Sequence, residues 1–294
     1  MGGSGQRNSD CGATTYRPTI VEFAQAPPQL READGAPTWI VRAANFVVAV
    51  TRASRGTRLV RGAHPDEYVI VTPLDLAARV SAGGQDVQAV PDSLSIVPPG
   101  QSEVIAEGEG YLYRIFSNRA DDIAALSSNS SIYAHDVPGV ARLEPWPDPI
   151  GGFRLRTYPL AEEHAGNALG RIYRCTTLML NVLEPFSGPR DTSALTPHLH
   201  EDFEQGSLTL SGAYEHCLRT PWGADRGGWK PDLIVPCGSP SLTVIPAGTI
   251  HTTVWHDTGG RMIDIFAAPR ADFSARPGWV RNAADYPVPK DHSR

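Results

Sequence analysis

Short apolar runs separated by turn formers recur along the whole chain. In the first half they cover residues 44–52, 67–72, 76–80 and 94–97. In the second they cover 176–183, 207–210, 242–245 and 262–266. They are rich in Val, Ile, Leu and Thr, and clusters of Gly, Pro, Asp and Ser bound each one. That pattern predicts the short strands of a sandwich or barrel. Amphipathic stretches of helical length are scarce; residues 121–126 predict one helical turn or two. The polar, proline-rich stretch 127–158 reads as a connector.

The runs also repeat. Pro98-Pro99-Gly100 and Pro246-Ala247-Gly248 each follow a strand-like run, at an offset of 148 residues. Ile115-Phe116 and Ile265-Phe266 follow at 150, and Arg119-Ala120-Asp121 and Arg270-Ala271-Asp272 at 151. Three matches in order at nearly constant offset predict a duplicated domain. The expected division is 1–130 for a first unit, 131–160 for a connector and 161–294 for a second unit.

Composition agrees with this picture and removes several function classes. Gly and Pro make up nearly a fifth of the 294 residues, which interrupts long helices, while 41% hydrophobic content supports a packed core. The formal net charge of −6 does not attract phosphate backbones, so nucleic acid is not an expected partner. The longest apolar run, residues 46–50, is far short of a membrane span, and no membrane partner is expected. The polar N-terminal segment lacks the apolar stretch of a secretory leader, and the four cysteines (Cys11, Cys175, Cys217 and Cys237) show no CxxC spacing. A cytoplasmic protein with free thiols is the expectation, with Cys175 and Cys237 serving as small buried hydrophobes.

The strongest chemical signal lies in the second half, at Pro197-His198-Leu199-His200-Glu201-Asp202-Phe203-Glu204. On a strand, His198 and His200 point to one face because side chains alternate. Two imidazoles so placed can share a metal ion. Glu204 follows at the next bend, and His251 follows Gly248 by three residues, after a PxG turn that can swing its strand back toward the first pair.

At these residues the chain resembles the cupin superfamily. The first cupin motif, HxH followed by Glu and then Gly, is matched by His198, His200, Glu204 and Gly212; the second, PxGxxH, by Pro246, Gly248 and His251. The resemblance implies an all-β fold of two double-stranded β-helix (jelly-roll, cupin) barrels in tandem. It also implies that His198, His200, Glu204 and His251 bind one divalent transition metal: Fe, Mn, Ni or Zn. Three departures stand out. The gap from Glu204 to Gly212 is one residue longer than usual, Trp255 stands where the second motif often ends in Asn, and residues 218–238 enlarge the segment between the motifs. In the first half, Glu103 stands at the position of His251, and Arg61 and Ala63 at the two histidine positions when Glu67 is set against Glu204. Sliding the frame to use His64 puts Tyr68 or Ile70 in place of the glutamate, so no full ligand set survives there.

Around the expected metal, Tyr214, His216, Arg219, Trp255 and Asp264 are candidate substrate-binding residues; Arg219 suits a carboxylate. Trp222 and Trp229 are read as pocket or packing aromatics. His64, His135, His164 and His292 fall in turn, connector or tail contexts, and His256 at a solvated strand end. The expected function is a metal-dependent enzyme on a small oxygenated metabolite (enol, diketone, carboxylate or sugar-like), leaning to a dioxygenase, with Glu204 able to detach and act as a base. The alternatives are a metal-dependent isomerase or lyase and a non-catalytic small-molecule-binding module. A small molecule is the expected partner, and a homodimer stays open.

Overall fold

The computed structural model describes residues 17–161 and 170–290; Cys11, His164 and His292 lie outside them. Among the described residues the protein is almost entirely β, in four antiparallel sheets that close as two barrels. The first barrel pairs a seven-stranded sheet with a four-stranded one, and the second pairs a six-stranded sheet with a three-stranded one. The short helix expected near residue 121 is Asp121–Ala125.

Strands hidden from the apolar pattern complete the sheets. Arg58–Arg61, Gln85–Ala89 and Leu233–Cys237 are edge strands with too many exposed positions to read as apolar runs. Two strands cross the expected unit boundaries. Thr19–Glu22 pairs with Ser241–Ile245 of the second barrel, and Arg156–Pro159, within the expected connector, pairs with Ser93–Val97 of the first. Each barrel therefore borrows a strand from the chain segment flanking the other.

Strand alternation divides the core into layers. Val69, Val71, Leu94 and Ile96 of the first barrel face Leu208, Leu242, Val244, Ile263 and Ile265 of the second in one continuous apolar layer. Gly206 belongs to this contact: a Cβ there would meet the Phe46 ring at 2.8 Å, so glycine is what lets the two large sheets approach. The opposite faces of the same strands line the barrel interiors. In the first barrel that interior is filled by Ile40, Val47, Leu59, Tyr68, Ile70, Val80, Val97, Val104, Leu112 and Phe116. His64, expected in a turn, is buried there, with the Tyr68 and Phe116 rings 5.2 Å away.

The duplication extends to individual hydrogen bonds. Arg42 N–H donates to Asn129 Oδ1 (3.0 Å) and Asn129 Nδ2 donates back to Arg42 O (2.8 Å). In the second half, Arg174 N–H donates to Asn282 Oδ1 (3.1 Å) and Asn282 Nδ2 to Arg174 O (2.8 Å). The Thr72–Ser93 hydroxyl pair of the first barrel likewise recurs as Thr209–Ser241 in the second, at 2.8 and 2.6 Å.

Candidate metal centre

Three histidines converge at the mouth of the second barrel. His198 and His251 lie opposite each other in a single antiparallel bridge, with backbone bonds of 3.1 and 2.7 Å between them. The PxG turn places the third: Gly248 N–H donates to His200 O at 2.6 Å, and Gly248 adopts a φ of 74°, which suits glycine. One ring nitrogen from each of His198, His200 and His251 lies within 4.8 Å of the others. His198 is exposed, while His200 and His251 are buried.

Two of the rings are oriented by the backbone. His198 Nδ1 bonds Thr196 O at 3.0 Å and His251 Nδ1 bonds Thr249 O at 2.9 Å. Each such bond requires the proton on Nδ1 and leaves Nε2 as a lone pair directed at the common centre. Burial pushes the His200 imidazole down to about 3 and that of His251 down to about 4, so both are neutral at ordinary pH.

The fourth group is Gln205, and Glu204 is turned away. Gln205 Oε1 lies 2.9 Å from His200 Nε2 and 3.3 Å from His251 Nε2. Its Nε2 donates to Asp264 Oδ1 (2.9 Å) and to Ser207 Oγ (3.1 Å), which fixes the amide with its oxygen toward the histidines. Glu204 instead accepts from Ala44 N–H (2.6 Å) and Tyr133 Oη–H (3.1 Å), both in the first half of the chain. The reason is alternation. Leu208 fills the layer between barrels, so residues 205, 207 and 209 face the interior and residue 204 cannot. The expectation that Glu204 is a ligand and a base is corrected on this ground. The signal was in the sequence: counted from Gln205, the gap to Gly212 loses its extra residue.

The donor set fits a divalent metal. His251 Nε2 and Gln205 Oε1 are both acceptors and yet face each other at 3.3 Å, an arrangement that a cation between them satisfies. Imidazole nitrogens and an amide oxygen gathered this closely are donors of the kind such an ion would take.

One layer further into the barrel, the pairing registers place Ser207, Thr243, Asp264 and Asn181 in one row, with His216 and Thr253 on the facing sheet. Ser207 Oγ donates to Asp264 Oδ1 (2.9 Å), and His216 Nδ1 bonds Thr253 Oγ1 (3.0 Å). Burial raises the half-buried Asp264 to about 6 and lowers His216 to about 4. His216 Nε2, Asn181 Oδ1 and Thr243 Oγ1 are buried without a hydrogen-bond partner. Deeper still, Tyr214 and Trp255 close the interior with Phe186, whose ring stacks on Trp255 at 3.8 Å.

Of the candidate substrate residues, His216 and Asp264 thus face the interior beside the histidines, and Tyr214 and Trp255 form its floor. Arg219 lies elsewhere, on the outer side of the sheet. It sits on the outer face of its strand, bonded through Nε and one terminal nitrogen to Asp232 (2.8 and 2.5 Å), in a cleft of about 600 Å³ that His198 and His251 also line, together with Leu199, Cys217, Ile234 and Ile250. Trp222 and Trp229 stack on each other at 4.4 Å and stay exposed. In the first barrel the residue facing inward at the place of His251 is Ser102, bonded to Tyr68 Oη at 2.9 Å. Glu103, expected there, points outward to Arg58. Cys175, Cys217 and Cys237 are free thiols, Cys175 and Cys237 buried.

No family model and no curated relative matches this chain. Solved structures do. The protein Ylba from E. coli matches at a TM-score of 0.56 and 13% identity, over 90% of this chain and 98% of that one. Bacillus subtilis oxalate decarboxylase matches at 0.51 and 16%, over 93% of this chain and 85% of its own. Lactobacillus farciminis oxalate decarboxylase, solved as a formate complex, matches at 0.51 and 15%, over 85% of each. The likeness at these identities is one of fold: two cupin barrels in tandem. No helix among the described residues is long and apolar enough to cross a membrane.

Proposed function

We propose that the second barrel is the active site of a metal-dependent enzyme that takes a small oxygenated metabolite, and that oxygen-dependent cleavage is the first reaction to test. The observation that carries this reading is the convergence of three imidazoles, two of them oriented by backbone carbonyls, and one amide oxygen, with Asp264 beside them. His198, His200, Gln205 and His251 would hold the ion. Bound there, a divalent transition metal would polarise substrate oxygens and, as Fe, permit oxygen chemistry. The Mn(II) centres of Bacillus subtilis oxalate decarboxylase, a neighbour in fold, agree with a divalent ion in such a barrel.

The protein's own residues supply the rest. Ser207 and Asp264 keep the Gln205 amide from rotating, which preserves the donor set between turnovers. Asp264 is the inward carboxylate of the second layer and the group placed to hold a proton near substrate. Phe186, Tyr214 and Trp255 close the deep end of the barrel, which excludes water from that side. The chemistry proposed here needs no nucleic acid, membrane or second chain.

The test is direct. Protein purified without chelator is analysed for metals by mass spectrometry, then assayed for oxygen uptake with diketones, catechols and keto acids. Bound metal, and oxygen uptake that vanishes in His198→Ala, is the expected result. Metal-dependent turnover without oxygen uptake moves the reaction to isomerase or lyase chemistry. Protein that neither carries metal nor takes up Fe, Mn, Ni or Zn overturns the reading.

A further inference from the structure

We propose that the second barrel selects its substrate as an anion: a small carboxylate or enolate whose charge completes a metal centre built only from neutral donors. The inference rests on the metal reading above and adds the substrate's charge to it.

Every group facing the centre is uncharged. Three imidazole nitrogens and the Gln205 amide oxygen supply lone pairs and no negative charge. The carboxylate adjacent in sequence, Glu204, is committed elsewhere, to Ala44 N–H and Tyr133 Oη–H. Asp264 is one residue removed: its Oδ1 is bonded to the Gln205 amide nitrogen and the Ser207 hydroxyl, so the amide stands between it and the centre. A divalent ion held there keeps most of its charge, in a pocket where two of the three histidines are buried. A charge in such surroundings is costly unless an opposite charge meets it; Asp264 offers one only from behind the amide, so an anionic ligand arriving from solvent is favoured over a neutral one. A glutamate at position 205 would supply it internally, so glutamine at this position is the specificity-determining choice. Asp264 and Ser207 are positioning residues: they hold the amide oxygen inward and so keep the donor set neutral.

The experiment uses the full chain loaded with Co(II), whose visible absorption reports the coordination sphere. Metal content is measured first. The loaded protein is then titrated with pyruvate and with methyl pyruvate, which keeps the carbonyl and lacks the charge. The wild type is expected to bind pyruvate at least tenfold more tightly than the ester, with a shift in the Co(II) bands. Gln205→Glu is expected to keep one Co(II) per chain and to lose at least tenfold in pyruvate affinity. Equal affinity for acid and ester in the wild type overturns the proposal and leaves the metal centre standing; that arm needs no variant to fold. An acid preference undiminished in a Co(II)-loaded Gln205→Glu protein also overturns it. Absence of Co(II) uptake by the wild type removes the metal centre itself, and the proposal with it.

Discussion

Tyr68 and Gln205 begin the same strand in two copies of one barrel, each directly after a buried glutamate, and from there the inward-facing side chains of the two barrels diverge. Matched through the pairing registers, the layer below the metal in the second barrel is Ser207, Thr243, Asp264, Asn181, Thr253 and His216. In the first barrel the same places hold Ile70, Ser95, Arg114, Ala49, Val104 and Val80. One interior is mainly aliphatic and packed shut, with Arg114 as the charged member of this layer; the other is lined by polar side chains, and buried atoms without a hydrogen-bond partner occur in both. Burying polar side chains costs more than burying aliphatic ones, so the first barrel, with its mainly aliphatic interior, suits holding the fold, and the second, with its polar layer beside the histidines, suits chemistry.

What the copies share is the way they grip each other. Glu67 accepts from Thr176 N–H (3.0 Å) and Tyr286 Oη–H (2.8 Å) in the second half of the chain. Glu204 accepts from Ala44 N–H and Tyr133 Oη–H in the first half. The two carboxylates make the same pair of bonds in opposite directions across the interface. Burial pushes both above the usual carboxylate range, and the backbone and tyrosine donors pull back in part.

The largest expected effect separates the interiors. His251→Ala removes a ligand and should lower metal affinity by more than about a hundredfold, since even the loss of a group that only orients a ligand costs roughly ten- to a hundredfold. Ser102→Ala, at the matching place in the first barrel, should leave metal content unchanged. Metal per chain after dialysis reads both, and metal retained by His251→Ala would break the assignment of chemistry to the second barrel.

Next come the two glutamates. Glu67→Ala strands the buried Thr176 N–H and Tyr286 hydroxyl and should cost roughly 3 kcal/mol in urea unfolding; Glu204→Ala, whose donors on half-buried Ala44 and Tyr133 are nearer solvent, should cost less, roughly 1–2 kcal/mol. Metal content should survive in both, provided the proteins are folded when measured. A folded Glu204→Ala protein that cannot bind metal would restore Glu204 to the ligand set and end the symmetry between the two residues.

The first barrel carries a pH dependence of its own. Burial, with Arg61 beside it, pushes His64 down to about 4, below its ordinary 6.5. Between those values the unfolded chain takes up a proton that the folded one refuses. The contribution is therefore whole above 6.5 and is lost as pH falls toward 4, amounting to roughly 2 kcal/mol by about pH 5. The raised glutamates have the opposite sign, so the quantity to measure is the stability difference between wild type and His64→Gln across that range. A difference that does not change with pH would mean that His64 is not held neutral.

The duplication was legible in sequence because turn motifs recur at near-constant offset, and the three histidines because HxH and PxGxxH are spaced as strand and turn geometry requires. Side-chain direction was less legible. Glu204 against Gln205, and Glu103 against Ser102, are choices one residue apart, and a slip of one residue exchanges the inner and outer faces of a strand. Only the partner strands decide: Leu208 against Leu242 at one place, Ser102 against Arg61 at the other. The polar second layer was hidden for a different reason. Ser207, Thr243 and Thr253 read as ordinary strand residues, and nothing along the chain marks their hydroxyls as facing inward.

Arg219 supplies the smallest expected effect. As a carboxylate anchor it would make Arg219→Ala lose substrate. In the fold it points out of the barrel to Asp232, both side chains are well exposed, and an exposed ion pair contributes little to stability. Arg219→Ala should therefore leave the melting temperature, metal content and pyruvate affinity where the wild type has them. An exposed pair on the corresponding sheet of the first barrel, Arg79 and Asp86, should tolerate Arg79→Ala equally well. A loss of pyruvate affinity in Arg219→Ala alone would mean that the cleft Arg219 shares with His198 and His251 belongs to the substrate's path. The functional difference between the barrels would then extend beyond the interior to the sheet surface.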